Sequence, residues 1–235
     1  MPTKHDVALR TEIIAVACDM ARTGLTFGTA GNISVRVDGG FLVTPSGIPY
    51  ERTTPDQIVF CDLDGGYEGE WMPSVEWRLH RDIYLNLPAA QAVVHVHSPY
   101  ATALSCLRID IPAFHYMIGK QGGPTLRTAR YATFGTAELS DAMIEALADD
   151  RTACLLANHG QIAYGKSLAQ AYSVAGEVEY LCRQYAIVRT LGTPVILDDT
   201  EMTEVMRRFR TYGKQPRDCT PEEVAMMDRP VRRDG

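Results

Sequence analysis

The 235-residue chain has few cysteines, and none of them stand close together. Cys18, Cys61, Cys106, Cys154, Cys182 and Cys219 are scattered along it with no C-x-x-C pair, which argues against both a disulfide framework and a thiolate zinc knuckle. No apolar run approaches the roughly 20 residues of a membrane span. "MPTKHDVALR" at the start has no apolar signal region, so a reduced cytoplasmic setting without a membrane partner is expected. Positive charge is not in excess: 23 Lys and Arg face 29 Asp and Glu, a net charge of −6. That balance speaks against a general nucleic-acid binder. There is no Walker or dinucleotide fingerprint, internal repeat, low-complexity tract or linker. What remains, 46% apolar and 22% charged residues, is the composition of an ordinary globular chain. It is long enough to bury a substantial core as one domain, residues 1–235.

Apolar residues at helical spacing predict a helix over 6–23 stopped by Gly24. "NISVRVDGGFLVTPSG" alternates on either side of "DGG" and reads as a hairpin. Thr54-Pro55-Asp56-Gln57 is a capping box opening a short helix, and "IVFCDLDGG" is a strand and turn. Ser74 is a candidate N-cap for a helix running to about Leu87. A strand over 92–97 and a helix from Pro99 follow. Residues 109–134 read as irregular, with "AFHYMI" their best strand candidate. Helices over 136–148, from Ser167 to about Gly192 and over 200–210 frame two further strands in "ACLLANHG" and "QIAYG". The expectation is one α/β domain with a largely antiparallel or mixed sheet.

In "AVVHVHSPY" (92–100), strand alternation puts Val93, His95 and His97 on one face and Val94 and Val96 on the other. Two imidazoles about 7 Å apart at the backbone can converge on one ion. They can equally be hydrogen-bonded core histidines or a wet sheet edge. His159 in "LLANHG" sits before a glycine turn, where side chains are presented rather than buried. Three histidines with an open position match a catalytic zinc site. His5, His80 and His115 have no comparable setting. Glu76, in the first turn of a helix, is accounted for by the helix dipole alone unless it faces the histidine strand. "GTAGNISVR" (28–36) and "TPSGIPY" (44–50) are glycine-bearing turns able to cradle an anion.

Taken together, "GTAGNISVR", "TPSGIPYE", "PSVEWRLH", "AVVHVHSPYATALS", "IPAFHYMI", "YATFGTAELS" and "LLANHGQIA" occur in the order seen in the class II aldolase/adducin family. The chain resembles that family, in its sugar-phosphate aldolase branch, from about residue 10 to "FRTYG" near 213. The resemblance implies a three-layer α/β/α fold around a mainly antiparallel sheet. It also implies a cyclic homotetramer with sites between subunits. One divalent metal per subunit, Zn²⁺ with Mn²⁺ or Co²⁺ as alternatives, would be held by His95, His97 and His159. Glu76 would be the acid/base group and approach the metal when no substrate is bound. Tyr116 would reach the neighbouring subunit's site. Gly31, Asn32, Ser46, Gly47 and Ser74 would hold phosphate, and Phe134 and Tyr212 would line the aldehyde side.

The implied reaction is reversible cleavage of a ketose 1-phosphate, of the L-fuculose 1-phosphate type, into dihydroxyacetone phosphate and an aldehyde such as lactaldehyde. The family commonly reads "PSSE" where this chain has Pro73-Ser74-Val75-Glu76, so one hydroxyl expected at the phosphate is missing. Three other functions stay in view. The same chemistry on 5-deoxyribulose or 5-methylthioribulose 1-phosphate is one. Another is L-ribulose-5-phosphate 4-epimerisation, against which "YMIGKQGG" offers no acidic proton-transfer residue. The last is a non-catalytic adducin-like interaction module, which would not need the histidine set.

Overall fold

The computed structural model describes residues 3–227. Helix α1 (Val7–Arg22) starts where the Asp6 carboxylate accepts the Leu9 N–H at 3.0 Å, and it buries Ile13, Ala17 and Met20. Strands β1 (Asn32–Val37) and β2 (Gly40–Val43) form a hairpin in which Val37 faces Gly40. Gly39 closes the two-residue turn at φ 79°, a conformation glycine adopts without steric cost. The capping box at Thr54 opens a single 3₁₀ turn, Pro55–Gln57, before β3 (Val59–Asp62) and β4 (Tyr67–Glu68). Then come α2 (Trp77–Asn86), β5 (Ala92–Val96), α3 (Pro99–Ser105), β6 (Thr128–Ala129), α4 (Ala137–Ala146), β7 (Ala153–Leu156), β8 (Gly160–Gly165), α5 (Leu168–Leu191), α6 (Asp199–Phe209) and α7 (Pro221–Met226).

The strands lie in one sheet in the order β4-β3-β2-β1-β5-β8-β7-β6. Every pairing is antiparallel except β6 with β7. Alternation along the strands splits the core in two. Ile33, Val35, Val94 and Val96 pack with residues of α1, α3 and α5. Val93, Cys154, Ile162 and Phe41 pack with α2 and α4. The result is the expected α/β/α layering around a mainly antiparallel sheet. Each large aliphatic side chain buried in these layers contributes roughly 1.5–3 kcal/mol. All six cysteines are free thiols.

Three expectations need correction. The helix expected from Ser74 begins at Trp77, with Glu76 as its cap residue. Ser74 instead holds a tight turn in front of it, its hydroxyl accepting the Glu76 N–H at 3.3 Å and its carbonyl the Trp77 N–H at 3.0 Å. "AFHYMI" is not a strand: Tyr116–Gln121 is a 3₁₀ helix capped by His115, whose Nδ1 accepts the Met117 N–H. Gly119 there approaches α6 so closely that a Cβ would lie 3.1 Å from Val205. Helical packing on α6 thus replaced a sheet partner that the local alternation had suggested. The helix expected over 200–210 is α6, and a further helix that the sequence reading did not expect, α7, follows it.

Candidate metal centre

β5 carries His95 on the face opposite Val94 and Val96, as alternation requires, and His97 follows one residue beyond the strand. Antiparallel pairing sets Asn32 of β1 directly beside His95. His159 stands in the turn from β7 to β8, next to Asn158 at φ 53° and immediately before Gly160. A Cβ on Gly160 would lie 2.5 Å from the Val96 carbonyl and 3.0 Å from the His97 ring. Only a glycine lets this turn close against the histidine strand. Glu76 arrives from the other direction, at the start of α2.

These four side chains converge. One ligand atom from each of Glu76, His95, His97 and His159 lies within 4.8 Å of all the others. His95 Nε2 is 3.0 Å from His97 Nε2 and 3.0 Å from Glu76 Oε2, and His159 Nε2 is 3.1 Å from Glu76 Oε1. Glu76 Oε1 is buried and accepts no hydrogen bond of good geometry. Ring nitrogens and an unpaired carboxylate oxygen facing one point fit a cation shared among them. His95 Nδ1 donates to the Gln161 carbonyl at 2.8 Å, which leaves Nε2 to face the cluster, the usual backing for a ligating imidazole.

Without an ion, the charges of the cluster are set by burial and by its own members. Burial, with the His95 and His159 rings beside it, pushes His97 down to about 4, so it is a neutral lone-pair donor at neutral pH. Burial alone would raise the Glu76 carboxyl, but His95 and His159 outweigh it and hold the group well below the usual carboxylate range. Burial also opposes the charged form of His95, yet Glu76 raises that ring above its ordinary value.

The cluster opens onto a cavity of about 430 Å³, within the size range of small-molecule sites. Glu76, His97 and His159 line it together with Gly31, Asn32, Ser46, Gly47 and Ser74. Two loops bring these polar groups together: Pro45 bridges to Pro73, Ser46 N–H donates to the Met72 carbonyl and Ser74 N–H to the Thr44 carbonyl. Gly47 sits at φ 71°. Val75 lies in the same wall and is exposed. Tyr131, Ala132 and Phe134 also line it, and a Cβ on Gly135, next to Phe134, would lie 3.4 Å from the Val75 carbonyl.

Tyr116 and Tyr212 are not in this cavity. They lie with Phe209 in an exposed aromatic cluster, Tyr116 stacked on Phe209 at 6.1 Å and Tyr212 edge-on to Phe209 at 5.5 Å. Sequence reasoning passed over His80, Ser34, Tyr84 and Gln161, all buried behind the site. Glu76, His80 and Tyr84 recur every four residues, and Asn32 and Ser34 every two, which was the available signal.

A buried Glu/His₃ cluster suited to a divalent metal, beside a cavity lined by small polar residues on a mainly antiparallel α/β/α sheet, has the form of a metal-assisted enzyme for a small molecule. Comparison with known proteins then places it: residues 11–186 match the family described as Class II Aldolase and Adducin N-terminal domain, and the chain belongs to that family. Its relatives make it a metal-dependent aldolase, a carbon–carbon lyase. A 5-methylthioribulose-1-phosphate/5-deoxyribulose-1-phosphate aldolase of Rhodospirillum rubrum is 47% identical over 207 residues, 88% of this chain and 93% of that one. An L-fuculose phosphate aldolase of Escherichia coli is 47% identical over 206 residues, 87% of this chain and 95% of that one. A solved L-fuculose 1-phosphate aldolase superposes with a TM-score of 0.82 at 39% identity, covering 86% of this chain and 95% of that chain.

Proposed function

We propose that the protein reversibly cleaves a ketose 1-phosphate of the L-fuculose 1-phosphate type into dihydroxyacetone phosphate and an aldehyde such as lactaldehyde. The observation that carries this is the Glu/His₃ cluster opening onto the same cavity that Gly31, Asn32, Ser46, Gly47 and Ser74 line with small polar groups and backbone suited to a phosphate. His95, His97 and His159 would hold a divalent ion, Zn²⁺ by its affinity for three imidazoles, with Glu76 joining them before substrate binds. Bound there, it supplies a Lewis acid for the negative charge left when the carbon–carbon bond breaks.

The chain's own groups do the rest. The cradle fixes the phosphate, which sets the scissile bond over the cluster. Cleavage breaks C3–C4, the C4 hydroxyl gives up its proton as it becomes the aldehyde, and C3 takes up a proton. Glu76 is the group placed to exchange that C3 proton, giving it in cleavage and removing it in condensation. Tyr116 would hydrogen-bond the aldehyde oxygen from a neighbouring copy, with Tyr212 on the aldehyde side. Their exposure on the chain's outer surface and absence from its own cavity support this. A cyclic homotetramer, in the reducing setting that six free thiols suit, is the proposed working form.

A second reading has specific support: Phe134 and Ala132 add apolar surface to the cavity lining, which would accept the methyl or methylthio tail of 5-deoxyribulose or 5-methylthioribulose 1-phosphate. The test is a panel of these three ketose phosphates with metal-loaded protein, reading dihydroxyacetone phosphate through a coupled reductase. The highest kcat/KM assigns the substrate, and no release from any of them would overturn the proposal.

A further inference from the structure

Behind the cluster, α2 and β1 interlock through a ladder of buried polar side chains. Asn32 Nδ2 donates to Glu76 Oε2 at 3.1 Å. His80 Nε2 is 2.5 Å from Asn32 Oδ1, His80 Nδ1 is 2.7 Å from Ser34 Oγ, and Ser34 Oγ is 2.7 Å from the Tyr84 hydroxyl. His80, Ser34 and Tyr84 are 0%, 0% and 2% exposed, so these bonds are shielded from bulk solvent. None of the three reaches the cavity, and the reaction as written does not use them.

The direction of every bond follows from the groups present. Asn32 Oδ1 can only accept, so His80 Nε2 carries the hydrogen. Burial pushes His80 down to about 3, so the ring is neutral and Nδ1 is an acceptor. Ser34 must therefore donate to His80, and the Tyr84 hydroxyl to Ser34. The donors all point one way, from Tyr84 through Ser34 and His80 to Asn32 and on to Glu76. With its carbonyl pinned by His80, Asn32 has its amide turned so that one hydrogen lies on Glu76. The other is left for the cavity that Asn32 lines.

We propose that His80 is a positioning residue, holding the Asn32 amide in the one orientation that serves both Glu76 and the phosphate cradle. Without the His80 N–H, only the bond to Glu76 holds the amide, and its buried carbonyl oxygen is left without a donor, so the side chain is less firmly held in that orientation. The proposal rests on the aldolase reading for its kinetic consequence, whereas the bond directions stand apart from it.

Two measurements test it. Nitrogen-15 NMR of histidine-labelled, zinc-loaded full-length protein, with the His80 signal assigned by its loss in His80→Gln, reads the tautomer directly. The Nε2–H form is expected, and an Nδ1–H form overturns the proposal even if every variant is unstable. Kinetics with whichever of the three ketose phosphates the wild type cleaves best read the consequence. His80→Phe should lower kcat about tenfold to a hundredfold, the loss of one hydrogen bond to a charged oxygen. It should also raise KM several-fold while keeping one metal per chain. A loss of active fraction would lower kcat and leave KM alone. His80→Gln, which keeps a donor at the Nε2 position, should recover most of the loss. In an Asn32→Ala background, His80→Phe should have no further effect on either parameter, and an additive effect would show that His80 does not act through Asn32. Wild-type protein that cleaves none of the three ketose phosphates would refute the proposed function while the tautomer measurement still judged the ladder.

Discussion

Removing one imidazole from the cluster also removes whatever that ring holds on its far side, so the three histidines are not equivalent. His97 lies beyond the end of β5 and is partly exposed, whereas His95 is fully buried and donates to Gln161. Both His97→Ala and His95→Ala should lose bound metal and most activity. His95→Ala should in addition be less stable by about 1–3 kcal/mol, because it leaves a buried cavity and a carbonyl without its donor. Metal analysis and denaturant unfolding of the two variants check this, and His97→Ala retaining a full equivalent of metal would remove it as a ligand. Glu76→Gln keeps the shape but cannot exchange a proton, so turnover should fall by roughly 10²–10⁴-fold with metal content nearly unchanged. Near wild-type turnover would take Glu76 out of the mechanism. At this scale the sequence was informative where the signal was local. The facing of His95 and His97 follows from strand alternation alone. Glu76 could not be settled so, since its role depends on where α2 lands on the sheet.

The landing of α2 is an element-scale matter. Four residues of helix rise about 6 Å and two residues of strand about 6.6–6.8 Å. The series Glu76, His80, Tyr84 on α2 can therefore alternate with Asn32, Ser34 along β1 without losing step. That near-match explains how one polar ladder runs through an otherwise apolar interlayer. It was written in the sequence, but only the packing of α2 against β1 makes it readable. "AFHYMI" is the opposite case, an alternating segment whose neighbour is α6 rather than a strand, so the local pattern misled. The turn before α2 also carries the chain's departure from the family pattern. Val75 is exposed in the cavity wall beside Ser74, so Val75→Ser would place a hydroxyl next to the cradle. Such bonds to charged oxygens are worth about 1.5–3 kcal/mol before the cost of ordering. KM for a phosphorylated ketose should fall several-fold with kcat little changed, as a contact made in both ground and transition states requires. If wild-type protein instead prefers the unphosphorylated sugar, the cradle does not hold phosphate.

For the whole molecule, the proposed function draws on two chains. Glu76 and the histidines sit at the cavity, while Tyr116, Phe209 and Tyr212 form their aromatic cluster elsewhere on the surface. Tyr116 is half exposed and Tyr212 more so, which costs apolar burial that a second copy would recover. Composition and periodicity cannot reveal a surface that matters only in an assembly, and here the resemblance alone suggested it. The arrangement makes a prediction that a self-contained site does not. Glu76→Gln and Tyr116→Ala should each be nearly inactive as purified. If Tyr116 serves the neighbour's cavity in a closed ring, a chain bearing Tyr116→Ala still offers an intact Glu76. Its neighbour bearing Glu76→Gln supplies an intact Tyr116. Unfolding the two variants together in equal amounts and refolding them with Zn²⁺ should therefore restore about a quarter of the wild-type activity per site, since random assembly pairs the two intact halves at about one interface in four. Refolding each variant alone should restore none. Sedimentation in the same buffer should show the closed oligomer in all three samples. Mixed samples that stay as inactive as their parents, at an oligomeric state equal to wild type, would place Tyr116 outside the site.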